Sequence, residues 1–296
     1  MNKNDFDKII KQNVINVVGA DLFGYEKSER VYPNHYKNCI FKKFVSQMEN
    51  NYYNCYVSYS RGKGSELKSQ GNKPPKMASV ASSSRFCYLA LRNGAEVLGG
   101  SGNVGFEHEC PIDGVKGTPP QMDAYIEKEN IFVEVKCHEI FDVHKTALSK
   151  QYFGLLFGKT NDFGFDYIPK ENMSDYEIDG KSNEFEIPFK KMGVLQPEML
   201  DVKQFICHLL GVRCHKKQDE KATLVYLFFK PKVATETEQN EVDAIFNKLA
   251  LEIKTLFNND AVENFIKKNN ITLKAVAEYS EVMSPLTSEN IIYLYP

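Results

Sequence analysis

The sequence predicts an α/β fold with helices packed on a sheet, and three observations carry the prediction. Segments with apolar residues at helical spacing alternate along the chain with short runs rich in Val, Ile, Tyr and Phe. The 296 residues suit a single elaborated domain that buries a sizeable core, and the 42% apolar and 26% charged shares are ordinary for a globular chain. No run approaches the roughly 18 apolar residues that a membrane-spanning helix needs, so no membrane partner is expected.

Taken in order, residues 5–18 have a helical pattern, and NYYNCYVSYS (51–60) has the Tyr and Val content of a strand. SRGKGSELKSQGNKPPK (60–76) reads as an exposed mobile loop. Met77, Val80, Cys87 and Leu91 then recur at helical spacing up to a stop at Gly94. A glycine-rich turn leads to strands at 106–112, 122–127 and 131–137. Residues 139–195 read as a loop-rich acidic insertion with an amphipathic piece at LSKQYFGLLFG. A helix at 200–211 follows, then the strand ATLVYLFFKP (222–231). Helices at 238–256 and 261–267 and strands ITLKAVAEY and NIIYLYP close the chain.

Seven dispersed cysteines with no CxxC pair argue for reduced thiols and against a structural zinc site. The start MNKNDFDKIIKQN lacks the layout of a signal peptide, so the cytoplasm is the expected compartment. Net charge is only -2, but residues 37–76 hold eight basic residues against Glu49 and Glu66. Residues 162–201 hold ten acids against four lysines. A basic stretch of that kind is enough to engage a polyanion, although a solvated surface is the plainer reading.

Three motifs invite chemistry. GSGNVG (100–105) matches a dinucleotide fingerprint literally, but a helix precedes it and a strand follows, the reverse of what the fingerprint needs, so it reads as a turn. CHLLGVRCH (207–215) pairs two cysteines and two histidines. With Gly211 expected to end the helix and no second ligand pair at zinc spacing, it reads as a half-buried cysteine with surface histidines. FVEVKCHE (132–139) is different. On a strand, Phe132, Glu134, Lys136 and His138 share one face, while Ile131, Val133, Val135 and Cys137 form an apolar face for a helix.

Asp123 begins the preceding strand. An even connecting loop would set Asp123 opposite Lys136 and Tyr125 opposite Glu134, bringing Asp123, Glu134 and Lys136 to one face, whereas an odd loop without a bulge would separate them. Two carboxylates with the Val135 carbonyl make a hard-oxygen site for Mg²⁺, and the lysine can orient a water or neutralise charge on a phosphoryl group. A cross-strand salt bridge is the plainer alternative.

KMASVASSSRFCYLAL, FEHECPI, QMDAYIE, FVEVKC, LDVKQFICHLLG and ATLVYLFF together resemble the PD-(D/E)xK nuclease superfamily, whose restriction-endonuclease-like fold implies a central mixed β-sheet flanked by helices, here with N-terminal and C-terminal elaborations. The pattern FE, DAYIE, VEVKCHE looks like a bacterial restriction-type subgroup. The resemblance covers about residues 77–231, with the acidic insertion at about 139–195. It implies a DNA endonuclease that uses Mg²⁺, or Mn²⁺ as a substitute. By that likeness Asp123 and Glu134 are metal ligands, Lys136 is the catalytic lysine and Glu107 is the additional acid, preferred over Glu109. Gln204 helps hold the metal or phosphate end. Met122 stands where the family has proline, and the stretch before Gln204 is long. Double-strand cleavage would favour a homodimer. A catalytically silent nucleic-acid-binding or assembly module on the same fold is the alternative.

Overall fold

The computed structural model describes residues 1–18, 26–27, 30–31, 76–144, 146–159, 161, 163–178, 181–194, 196–217 and 219–296. The elements are α1 (Lys3–Val18), β1 (Glu26–Lys27), β2 (Arg30–Val31), α2 (Ser83–Leu91), β3 (Val104–Glu109), β4 (Gln121–Ile126) and β5 (Ile131–Lys136). There follow β6 (Ala147–Ser149), α3 (Lys150–Phe157), β7 (Glu177–Ile178), β8 (Lys181–Glu186), α4 (Phe189–Met192) and α5 (Val202–His215). The last are β9 (Ala222–Pro231), α6 (Glu236–Phe257), α7 (Asp260–Lys268), β10 (Ile271–Ser280) and β11 (Ile291–Tyr295). The strand-like stretch 51–60 and all of the basic stretch 37–76 except Lys76 lie outside the described residues.

Among the described residues, six strands form one mixed sheet in the order β11-β10-β9-β5-β4-β3. β3, β4 and β5 make an antiparallel meander, and β5, β9 and β10 run parallel. Their Val, Ile and Phe content reflects burial from both sides, as parallel strands require. One face receives α2, where Phe86 meets Phe229 (5.5 Å) and Tyr88 meets Phe106 (6.0 Å). The other receives α5 and α6, where Phe205 and Tyr226 pack on Phe257 (5.2 and 6.3 Å). Past the ends of β9 and β10, Asn13 of α1 donates to the carbonyls of Lys232 and Glu281.

Helix starts follow side-chain chemistry. Ser82, Asp201, Thr235 and Asn259 each accept a first-turn backbone N–H, which satisfies a donor that the helix leaves open. Gly211 does not end its helix, which runs on to His215. A Cβ there would lie 2.9 Å from Cβ of Cys110, so the glycine is needed for close approach of α5 to the sheet.

The acidic insertion is more ordered than its composition implies. It contains α3 and a small antiparallel sheet of order β6-β8-β7. Phe153, Phe157, Phe163, Phe165 and Phe185 form its buried aromatic cluster, which meets Phe265 of α7. Aromatic residues spaced irregularly along an acidic stretch carry no clear period, so this core was hidden. GSGNVG runs from the turn before β3 into its first two residues, and in that turn Glu129 takes the Ser101 backbone N–H that a phosphate would otherwise use. No helix among the described residues is long and apolar enough to cross a membrane.

Candidate active site

β4 and β5 pair in the register Ala124↔Val133, Tyr125↔Phe132 and Ile126↔Ile131. The expected pairing is therefore displaced by two residues: Tyr125 faces Phe132 rather than Glu134, and Asp123 comes level with Glu134 rather than Lys136. The turn sets this register. Glu127–Glu129 form a 3₁₀ turn and Asn130 sits in the left-handed region at φ 52°, which closes the hairpin more tightly. A shift of two preserves the face of every side chain, so the convergence survives.

At the centre lies Glu134, only 3% exposed. Its Oε1 accepts from Lys136 Nζ at 2.6 Å, and the same Nζ donates to Gln204 Oε1 at 2.7 Å. Gln204 stands in the first turn of α5, with its backbone N–H held by the N-cap Asp201 at 2.9 Å. Asp123 accepts the Val135 backbone N–H on Oδ2 at 2.7 Å, which pins the carboxylate to the strand that carries Glu134.

Glu107 and Glu109 part company. Glu109 is exposed at the end of β3. Glu107 lies near enough to Asp123 to act on its charge, and its backbone is in the left-handed region at φ 54°, rare for a residue with a Cβ. That conformation interrupts strand alternation. Phe106 packs under α2, while His108 stacks on Tyr125 at 4.3 Å, on the face that carries Glu134. Strain of this kind costs on the order of 1–3 kcal/mol and concentrates at functional sites.

The electrostatics are those of crowded acids. Burial, then Glu134 and Glu107, push the Asp123 carboxyl well above its usual range, with Lys136 and the Val135 N–H opposing. Burial alone would pull Lys136 down, but Glu134 and Asp123 outweigh it and hold the ammonium above its ordinary value.

His208 was expected at the surface; it is buried instead. Its Nε2 lies 3.6 Å from Glu134 Oε2, and its Nδ1 is 3.1 Å from the Tyr226 hydroxyl. Burial, and after it Lys136, press His208 below its ordinary value against the pull of Glu134, and burial followed by Glu134 pushes Tyr226 up. Neither residue announced itself in the sequence, because α5 and β9 lie far along the chain from β5, which carries Glu134. The spacing of His208 to Gln204, one turn apart on α5, was the available signal. His138 pairs with Asp7 of α1 at 2.7 Å.

The oxygen-rich set of Asp123, Glu134 and Glu107 fits a hard divalent cation: three acids face one lysine, and the mutual repulsion on Asp123 is what such an ion would relieve. No family model matches the chain, and no curated protein or solved structure does either.

Proposed function

We propose that the chain is a metal-dependent DNA nuclease with a restriction-endonuclease-like core, hydrolysing phosphodiester bonds as a restriction-type endonuclease. The observation that carries this reading is the convergence of Asp123, Glu134, Lys136 and Gln204 on one sheet face beneath α5, with Glu107 beside Asp123. The order α2, β3, β4, β5, α5, β9 is also the one that the resemblance implies.

Asp123, Glu134 and Glu107 would hold Mg²⁺ or, in its place, Mn²⁺. When bound, the ion supplies Lewis-acid polarisation of a phosphoryl oxygen and eases deprotonation of a water. Lys136 stays protonated and so acts by position and charge rather than as a general base. Two of its three N–H groups go to Glu134 and Gln204, leaving a third for the attacking water or a phosphate oxygen. His208 and Tyr226 buttress Glu134 from beneath, so the carboxylate keeps its orientation as charge builds. The basic stretch 37–76 would meet the DNA backbone, and a homodimer would place two such sites on two strands.

The test is incubation of purified protein with supercoiled plasmid and Mg²⁺ or Mn²⁺, beside Glu134→Gln. Nicked or linear product, lost in the variant, is the expected result. Equal cleavage by the variant would sink the site. Retarded DNA in a gel shift with no cleavage in either ion would replace the enzyme by a silent binding module.

A further inference from the structure

At β3, which ends the sheet among the described residues, a second group of ligating side chains gathers from distant parts of the sequence. His108 of β3, Cys110 just past its end and His215 at the end of α5 place one ligand atom each within 4.8 Å of one another. The two histidine Nε2 atoms stand 3.2 Å apart. In a tetrahedral site with Zn–N bonds near 2.0–2.1 Å, two nitrogens lie about 3.3 Å apart. We propose that His108, Cys110 and His215 form a Zn²⁺ site, distinct in chemistry from the carboxylate cluster.

The donor set points to the metal. Two imidazoles and a thiolate suit a borderline-soft ion, whereas Mg²⁺ and Ca²⁺ take oxygens. Surrounding structure holds the ligands in place. The His108 ring stacks on Tyr125, and His215 meets Tyr125 and Phe132 edge-on at 5.2 and 5.5 Å. Cys110 has its backbone N–H bonded to the Pro120 carbonyl at 2.8 Å. Gly211, one turn before His215, faces Cys110 with room for no side chain, so α5 comes close enough to bring His215 over the strand. The described residues supply three ligands and leave a fourth position, which solvent can reach past exposed His215.

The ion would staple β3, which among the described residues has a strand neighbour on one side only, to α5. Because His108 follows the left-handed Glu107, the staple would also hold that residue's conformation. The site does not depend on the nuclease reading, and its test reads binding rather than cleavage.

The full chain is stripped of metal with a chelator and titrated with Zn²⁺, then with Co²⁺ as an absorbing probe. One equivalent is expected to bind, with a thiolate-to-cobalt charge-transfer band. His215→Ala should lose the equivalent and keep its fold by circular dichroism, since that residue is exposed; Asp123→Asn should keep it. A second variant, Cys110→Ser, should lose the band. Absence of saturable binding at micromolar metal overturns the proposal, as does undiminished binding in His215→Ala or loss of binding in Asp123→Asn alone.

Discussion

Glu134 on β5 and Glu278 on β10 are both buried acids of the central sheet, 3% and 0% exposed, and they lie on opposite faces of it. Glu134 has a lysine at 2.6 Å and a histidine at 3.6 Å. Glu278 accepts on Oε1 from Ser284 and Asn290, at 2.8 and 3.0 Å, while its Oε2 has no hydrogen-bond partner among the described residues. Burial accordingly raises the Glu278 carboxyl to about 7 despite Ser280, Ser284, the charge of Lys232, which makes no ion pair with it, and Asn290. Neutral donors soften the cost of burying an acid; a cation beside it makes a charged centre that chemistry can use.

Removing the cation should have the largest effect. Lys136→Ala leaves a buried carboxylate without its partner, and breaking such a pair costs about 3–5 kcal/mol, measured by urea unfolding. Plasmid cleavage should vanish as well. Adding Glu134→Gln should recover much of the stability but none of the activity. A loss under about 1 kcal/mol in the single variant would mean that the lysine does not carry the buried charge.

Glu278 tests the opposite side of the comparison. Its folded-state carboxyl titrates near 7, above the ordinary 4.5 expected when unfolded. Between those values the folded chain binds more protons, so stability falls as pH rises from about 4.5 to about 7 and then levels. The loss is on the order of 3 kcal/mol. Glu278→Gln should flatten that window in unfolding curves taken across it; an unchanged slope would break the contrast with Glu134.

Smaller effects sharpen the Glu134 side. His208→Gln removes the buttress, and a loss of about 1–3 kcal/mol is expected. With it should come a fall in cleavage of roughly 10–100-fold with KM little changed, read by steady-state kinetics. Asp201→Ala removes the cap at the start of α5, costing about 1 kcal/mol by thermal unfolding. It should lower cleavage modestly through Gln204, and an unmoved rate would show that the cap fixes the helix and not the lysine.

Much of the sheet was legible because burial leaves a period. ATLVYLFFKP and IFVEVK read as strands and are strands. The parity of the β4–β5 hairpin was open in the sequence; the structure makes it the one that joins Asp123 with Glu134, in a register two residues from the expected pairing. The left-handed Glu107 was not legible, since a glutamate gives no sign of a positive φ. Gly211 looked like a helix stop because a glycine's two uses, ending a helix and admitting a neighbour, are written identically. The core of the insertion was also hidden, as its phenylalanines meet across loops.

By itself the sequence determined the α/β class, the order of the main elements and the acid, acid, lysine spacing, all set by local periodicity and short separations along the chain. Only the tertiary structure decided that Glu134 sits on His208 and Tyr226, that Lys136 reaches Gln204, and that His108, Cys110 and His215 meet. Most of those contacts join residues far apart along the chain, such as Lys136 with Gln204 and His108 with His215. No local propensity encodes them: they arise when helices and sheet bury their apolar faces together and carry the attached polar groups into register.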